Sequence, residues 1–158
     1  ADNPLLTSRG RRTPEPLRVV LSRGLDLPAQ AHLWTTDDAP TLVAHGPEAP
    51  AERRLLLDAT GVERLELESS EPLALMEHLA QRGCNQVLWE CGPELAAAAL
   101  RQGCVQQLAA VLAPKLLGGQ AARTPLGDLE LVDVNQAEPW HAQRLQQLGA
   151  DWLWELER

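Results

Sequence analysis

The strongest constraint on the fold is the way glycine and proline divide residues 70–112 into short segments. Ser70 and Pro72 are typical of a helix start, and Gly83 is typical of a helix end. The apolar residues between them recur at helical spacing, at Leu73, Leu75, Met76, Leu79 and Ala80. These signals predict a helix that is capped by Ser70 and stopped by Gly83.

The chain after this helix continues to alternate between strand and helix signals. Residues 86–90 form a short apolar run that predicts a strand, and residues 91–93 (Cys-Gly-Pro) turn the chain into a helix predicted over 94–102. Gly103 ends that helix, and a further strand is predicted over 105–112. Helix–strand–helix–strand alternation with short links predicts an α/β fold with parallel strand pairs.

Short apolar runs elsewhere predict the remaining strands. Before residue 70 they lie at 17–21, 31–35, 41–44, 54–57 and 62–67. The last two are leucine-rich, and pieces this short fit a helix as well. Residues 129–134 and 143–148 are predicted to be extended, and Gly149 begins a turn into a final strand at 152–156 that closes a β-hairpin. No linker or repeat divides the chain, so residues 1–158 are predicted to form one domain.

Composition excludes several functional classes. A formal charge of -8 opposes binding to nucleic acid, and the absence of Phe and Tyr removes most base-stacking platforms. No apolar run approaches the roughly 18–20 residues that span a bilayer. Three cysteines without an export signal fit a reducing cytoplasm. Neither the cysteines nor the four histidines have metal-ligand spacing, so no metal site is predicted.

Two loops can carry chemistry. The predicted strand at 86–90 delivers Glu90 to a sheet edge, Gly92 lets the backbone approach a ligand, and the helix start after Pro93 offers free N–H groups to a phosphate or diphosphate. A plain strand–turn–helix unit is the alternative. The second loop is 113–119, whose paired glycines permit positive φ and close approach to a ligand. A wide loop without function is the alternative there.

Taken in order, four blocks resemble the C-terminal reductase domain of the bifunctional riboflavin-biosynthesis deaminase-reductase family. The blocks are ADNPLLTSR at 1–9, RVVL at 18–21, ECGPELA at 90–96 and APKLLGG at 113–119. The family pattern at these places runs ADDP-x-L-T-x-R, R-x-V-x-D-S, E-[AGC]-G-P-x-L and AP-K-x-[LI]-G-G. Four blocks in the same order along nearly the whole chain make a specific match.

The resemblance implies a dihydrofolate-reductase-like fold, a three-layer sandwich whose mixed, mostly parallel sheet has helices on both faces. It implies NADPH as cofactor and a small phosphorylated pyrimidine, 5-amino-6-(5-phosphoribosylamino)uracil, as substrate, whose ribosyl group is reduced to ribityl. The zinc-deaminase motif of the bifunctional family is absent from these 158 residues.

Site residues follow from the resemblance by position. Asp2 is expected at the cofactor, Leu6 and Arg9 in the substrate site, and Glu90 at the substrate. The cofactor diphosphate is expected at Gly92, Pro93, Glu94, Leu95, Ala96, Ala97 and Ala98. Glu90 and Asp2 are the carboxylates expected to move protons near the sugar oxygens, as catalytic residues.

The sequence departs from the family pattern in two places. The family domain begins upstream with a strand, a helix and a second strand, so this chain is expected to be a partial reductase domain. The usual Asp-Ser after the 18–21 block is Ser22-Arg23, and Arg23 is a candidate contact for the cofactor's ribose phosphate. A catalytically silent remnant that binds nucleotide or serves a structural role is therefore the second hypothesis.

The resemblance also implies a homodimer. Trp152 and Trp154 share one face of the last predicted strand, with Leu153 on the other, and suit a buried dimer face. A monomer that packs both tryptophans in its own core is the alternative.

Overall fold

The structure is a computed structural model that describes residues 3–119 and 124–158. The chain divides into two compact units, Ala1–Cys84 and Asn85–Arg158. They are called the first and second unit below, and each is described by itself.

A three-stranded parallel sheet organises the first unit. Its strands are β1 (Arg18–Leu21), β2 (Thr41–His45) and β3 (Glu63–Glu66), in the order β1-β2-β3. Helix α1 (Ala51–Asp58) links β2 to β3, because parallel neighbours need a crossover connection, and α2 (Pro72–Gln81) follows β3. All five residues of the central strand are buried, as expected of a parallel strand covered on both faces.

The hydrophobic core of the first unit forms around the central strand. Val43 of β2 packs with Leu25, Ala49, Leu57 and Val62, all buried. Leu57 is the buried residue of α1, whereas its neighbours Leu55 and Leu56 are exposed. Burial of one side chain of that size contributes on the order of 2 kcal/mol, so α1 is held to the sheet by few contacts.

The most unusual core group is the side chain of Arg18, which is 1% exposed. Its guanidinium group donates to five main-chain carbonyl oxygens and has no carboxylate among these partners. They belong to Leu5 at 3.3 Å, His32 at 3.3 Å, Leu33 at 3.5 Å, Thr35 at 2.8 Å and Ala39 at 2.7 Å. The charge is thus solvated by the backbone of three segments, and Arg18 ties them to the start of β1.

The second unit contains one helix and an antiparallel sheet. Helix α3 (Pro93–Arg101) is followed by β4 (Gln107–Leu112), β5 (His141–Leu148) and β6 (Asp151–Glu157), in the order β4-β6-β5. Strands β5 and β6 form the hairpin, which is continuous except for a bulge at Ala142/Arg144.

Most predicted elements are confirmed. The α/β class, the helix that starts at Pro72 and the C-terminal hairpin all occur. Parallel pairs also occur, but between β1, β2 and β3, whereas β4, the strand found in the segment whose alternation predicted them, pairs antiparallel with β6. Of the two ambiguous leucine-rich runs, 62–67 contains β3, whereas 54–57 lies within α1. The described strands form two three-stranded sheets. Within the parts of the chain that the structure describes, no helix is long and apolar enough to cross a membrane.

Residues 31–35 were predicted to form a strand, and that prediction is wrong. His32–Trp34 is a short 3-10 helix, since the carbonyls of residues 32, 33 and 35 accept from Arg18 and are not available to a strand ladder. The indole Nε1 of Trp34 also donates to Pro28 O at 2.8 Å, which closes this segment locally.

Two further strand predictions are wrong in the second unit. Residues 86–90 have no ladder partner among the described residues, and an apolar run without a partner is not a strand. Residues 129–134 are irregular, because the Asp133 side chain accepts from the amide of Asn135 and caps a 3-10 turn at Val134–Gln136.

We predict that Arg18→Met destabilises the protein by at least about 3 kcal/mol, because five carbonyl oxygens lose a charged donor, among them the buried carbonyl of Ala39. Urea unfolding followed by far-UV circular dichroism measures the change. Arg11→Met is the matched control, since Arg11 is exposed and the same charge is removed. Equal midpoints for both variants would contradict the role assigned to Arg18.

Candidate functional site

The N-terminal arm, residues 3–16, has an unusual backbone at the positions expected to bind substrate. Leu6 and Arg9 both have positive φ, at 50° and 54°, as does Asn3 at 44°. Such a conformation costs a non-glycine residue roughly 1–2 kcal/mol, and it persists only where surrounding contacts impose it. Strain of this kind is concentrated at functional sites, and here it coincides with both arm residues singled out from the sequence.

Hydrogen bonds to the rest of the first unit hold the start of the arm. The side chain of Asn3 donates to Gln30 O at 3.1 Å and accepts from the amide of His32 at 2.9 Å. The carbonyl of Leu5 accepts from Arg18 at 3.3 Å. Leu6 therefore follows directly on a fixed backbone, and its side chain is partly buried.

A carboxylate holds the other end of the arm. Glu15 accepts from the amide of Ser8 at 2.6 Å, from the Ser8 hydroxyl at 2.8 Å and from the amide of Gly10 at 3.1 Å. These donors, with the Ser8 amide first, lower the pKa of Glu15 below the usual glutamate value. Arg9 lies between the two anchored residues with its side chain exposed. We call residues 8–15 the arginine turn.

The carboxyl edge of the parallel sheet holds a polar cluster that the sequence did not reveal. His45 is fully buried, with Nδ1 2.7 Å from Gly46 O and Nε2 3.1 Å from an Arg64 nitrogen. The Ser70 hydroxyl accepts from the amide of Gly46 at 2.8 Å, and its hydrogen bond to Glu48 lowers the pKa of that carboxylate. Ser70 was predicted to cap α2; Glu71 is the N-cap instead, because the Ser70 hydroxyl is engaged with the β2 loop.

Arg23 belongs to the same edge. It follows β1, its side chain is exposed, and its charge is among the causes that lower the pKa of Glu48. In open parallel sheets this edge is the usual place for a ligand. Arg23 is thus positioned near an acidic group at that edge, where a cation is available to an anionic ligand.

In the second unit, Gly92 and Pro93 form the start of α3 as predicted. Gly92 is the N-cap, makes no side-chain cap, and Pro93 occupies the first helical position, where its missing N–H is not needed. A Cβ atom added at Gly92 would meet nothing within 4 Å. The first turn of α3 therefore combines amides without a side-chain cap and open space beside the backbone, which is what a diphosphate requires.

Gly127 contacts the first turn of α3 and holds its backbone, and this role was not predicted from the sequence. Its amide donates to Pro93 O at 2.9 Å, and a Cβ at Gly127 would lie 3.1 Å from the same oxygen. Only glycine lets the two backbones approach this closely without a shift. The signal in the sequence, a single Gly in a polar loop, is too weak to find alone.

Glu90 is exposed and lies two residues before the N-cap of α3. Its neighbours are more enclosed. The indole Nε1 of Trp89 is buried without a hydrogen-bond partner among the described residues, and burial raises the pKa of the Cys91 thiol. The carboxylate of Glu90 is thus accessible on a segment whose adjacent side chains are partly buried.

The 113–119 loop has no regular structure. Gly118 and Gly119 have φ of 49° and 108°, as their lack of a Cβ allows, and Leu116 and Leu117 are almost fully exposed. Asp2, expected at the cofactor, lies outside the described residues. Among those that are described, no group of three or more His, Cys, Asp or Glu could hold a metal ion.

The structure thus brings the predicted residues together in two sets. Leu6 and Arg9 share the arm of the first unit, whereas Glu90 and residues 92–98 are contiguous in the second unit. Within the second set, Ala97 is buried and the side chains of Leu95, Ala96 and Ala98 are partly buried.

Comparison with known proteins identifies a family. The family model described as RibD C-terminal domain matches residues 1–154. The riboflavin biosynthesis protein RibD of Synechocystis is 51% identical over 154 residues, which are 96% of this chain and 41% of that protein. The chloroplastic riboflavin biosynthesis protein PYRR of Arabidopsis thaliana is 37% identical over 96% of this chain and 25% of its own length. The chain therefore spans less than half the length of these relatives.

Two solved structures have the same fold as this chain. RibD of Acinetobacter baumannii superimposes with a TM-score of 0.79 at 27% identity, over 99% of this chain and 43% of that one. A pyrimidine reductase-like protein of Corynebacterium diphtheriae shares the fold, with a TM-score of 0.73 at 20% identity over 90% of this chain and 61% of its own.

Proposed function

Because the chain belongs to the RibD C-terminal domain family, we propose that it reduces 5-amino-6-(5-phosphoribosylamino)uracil to its ribitylamino product with NADPH, in riboflavin biosynthesis. The observation that carries the proposal is the match to the family over residues 1–154, with 51% identity to a RibD protein. The two sets of site residues described above support it, since each suits one of the two anionic ligands that the reaction needs.

The start of α3 suits the cofactor. The amides of the first turn donate to the diphosphate, Gly92 leaves room for it, and the small, partly exposed side chains of Ala96 and Ala98 let the helix lie close to the bound molecule, whereas Ala97 packs inside the protein. The partial positive charge at the helix start favours the same anion. When bound, NADPH supplies the hydride, and the protein supplies binding and orientation.

Arg9 suits the phosphate of the substrate. Its guanidinium presents parallel N–H groups that match a phosphate in a bidentate manner, and Leu6 offers an apolar contact beside it. The hydrogen bonds that fix the arm before binding reduce the entropy lost when the substrate is held.

The reaction needs proton movement at the sugar, since reduction of the anomeric carbon requires the ring to open. Glu90 is the exposed carboxylate next to the cofactor turn, and we assign it this role together with Asp2. Ring opening breaks the bond between the anomeric carbon and the ring oxygen and forms a C=N bond to the amine nitrogen, so the nitrogen loses a proton and the ring oxygen gains one. Glu90 would accept the proton from the nitrogen, and a carboxyl group of this pair would deliver one to the ring oxygen. Its position on an unpaired segment allows small adjustments toward the substrate.

We also propose that two copies of the chain associate through the face of the antiparallel sheet that carries Trp152 and Trp154. The two side chains are 43% and 40% exposed, and their cross-strand neighbours Leu112 and Leu145 are exposed as well. An apolar surface of this kind with two tryptophans is typical of an interface.

We predict that Gly92→Val weakens NADPH binding at least tenfold while lowering stability by only about 1 kcal/mol, the cost of valine at an N-cap. The backbone of Gly92 has negative φ and its surroundings are open, so valine fits the fold but occupies the space assigned to the diphosphate. Fluorescence titration with NADPH measures the dissociation constant, and thermal unfolding checks the fold. Unchanged affinity in the variant would place the cofactor elsewhere.

We predict that Glu90→Gln lowers kcat by about 100-fold or more while the dissociation constant of NADPH stays the same, since a positioned acid–base group contributes about 10²–10⁴. Steady-state kinetics on the pyrimidine substrate provide the measurement. Glu52→Gln, at an exposed glutamate of α1, is the control. Full turnover by the Glu90 variant would remove it from the mechanism, and wild-type protein that binds NADPH without turnover would favour a silent nucleotide-binding domain.

We predict that Trp154→Glu shifts the protein from dimer to monomer, because a charge would be buried at the proposed interface. Sedimentation velocity gives the mass, and circular dichroism confirms that the hairpin is retained. A wild-type protein that sediments as a monomer would contradict the proposed association.

A further inference from the structure

We propose that Glu15 is a positioning residue for the reaction: its carboxylate fixes the arginine turn in the conformation that presents Arg9 to the phosphate group of the substrate. The inference rests on the proposed function, because it assigns to that same site a residue which acts through another. Glu15 lies outside the four sequence blocks that indicated the family.

The first argument is the hydrogen bonding of the carboxylate. Three donors converge on it, and they come from the residues on either side of Arg9: the amide and hydroxyl of Ser8, and the amide of Gly10. The Ser8 hydroxyl in turn accepts from the amide of Arg12 at 2.9 Å. One anion thereby organises the backbone before and after Arg9.

The second argument is the conformation of Arg9 itself. A φ of 54° is unfavourable for arginine, so the free chain would leave it unless neighbouring contacts prevented the change. A main-chain hydrogen bond from Arg11 N to Ser8 O at 3.2 Å closes the turn whose central residues are Arg9 and Gly10, and the bonds to Glu15 hold the amides of Ser8 and Gly10 on either side of Arg9. Loss of the carboxylate would leave the turn with the Arg11–Ser8 bond and the bonds to the Ser8 hydroxyl, and we expect Arg9 then to sample the ordinary backbone regions, in which its side chain points elsewhere.

The third argument is charge. The arginine turn contains Arg9, Arg11 and Arg12, which repel one another, and Glu15 is its acidic residue. Glutamate is ionised at neutral pH, and the Ser8 and Gly10 donors lower the pKa of Glu15 further. The turn retains a net positive charge after this compensation, so it attracts a phosphate while the carboxylate points to backbone amides.

Glutamine at position 15 is the sharpest variant. Glutamine has nearly the same shape as glutamate, but an NH2 group replaces one carboxylate oxygen and cannot accept from the Ser8 and Gly10 donors. The negative charge is lost as well. Ser8→Ala removes the hydroxyl bond to Glu15 and the bond from the Arg12 amide to that hydroxyl, and it leaves both amide bonds to the carboxylate. Glu77→Gln removes the same charge from the exposed face of α2 and is the matched control.

The experiment measures the dissociation constant of ribose 5-phosphate by isothermal titration calorimetry, and KM and kcat for the pyrimidine with NADPH. We expect Glu15→Gln to raise the dissociation constant and KM at least tenfold, with kcat and NADPH affinity within twofold of wild type. Ser8→Ala is expected to be intermediate, and Glu77→Gln unchanged. Hydrogen exchange at the amides of Ser8 and Gly10 should be faster in Glu15→Gln, which reports the loosened turn directly.

Two results would overturn the inference. One is a Glu15→Gln variant whose turn exchanges faster while its ribose 5-phosphate affinity and KM are unchanged, because Glu15 would then be structural only. The other is a wild-type protein that does not bind ribose 5-phosphate, since Arg9 would then not be a binding residue for the phosphate group. Wild-type protein that binds ribose 5-phosphate but reduces no pyrimidine contradicts the proposed reductase instead, and the comparison of dissociation constants still decides the role of Glu15.

Discussion

A buried cation solvated by the main chain is the interaction on which the first unit depends. Removing a guanidinium from water is costly, and a carboxylate partner is the common compensation. Arg18 instead uses five carbonyl oxygens drawn from the N-terminal arm and from residues 32–39. The carbonyls of His32, Leu33 and Thr35 also accept from the amide of Thr35, the hydroxyl of Thr41 and the amide of Asp38, so Arg18 adds a second donor to each of them. The Nε of Arg18 is buried without a partner among the described residues, so the two terminal nitrogens of the guanidinium make all of these contacts. The start of β1, the 3-10 segment and the arm are fixed together for this reason.

Local signals in the sequence were sufficient where an element is determined by its own residues. Helix α2 begins at Pro72 and ends before Gly83, and the hairpin turns at Gly149, because these residues have backbone preferences that neighbours do not override. The turn at Gly92 was predicted for the same reason. Local sequence signals gave wrong predictions where long-range contacts determine the structure. The carbonyls of residues 32 and 35 accept from Arg18 in place of a neighbouring strand. An apolar run such as 86–90 is a strand only when another strand pairs with it.

The candidate site shows the same difference between residues that sequence patterns predict and residues whose role depends on contacts in the structure. Leu6 and Arg9 came from a family pattern, which records positions but gives no reason for them, whereas Glu90 was also predicted from its place before the turn at Gly92. The structure adds the reason at Arg9, where a strained backbone is held by Glu15, and that relation involves a carboxylate several residues away along an irregular loop. No periodicity marks such a residue. The two proposed anion sites also use different physics, a flexible side-chain charge in one unit and fixed backbone dipoles in the other.

The contact between Gly127 and Pro93 has a consequence for the order in which the protein can mature during synthesis. All of α3 and β4 leave the ribosome before Gly127 does, so the helix can form while its first turn still lacks the backbone that braces it. Contacts between residues so distant in sequence form late, because a long loop must close first. The element that the sequence marks most clearly as a ligand site therefore reaches its final geometry only after Gly127 has been synthesised and the loop before it has closed.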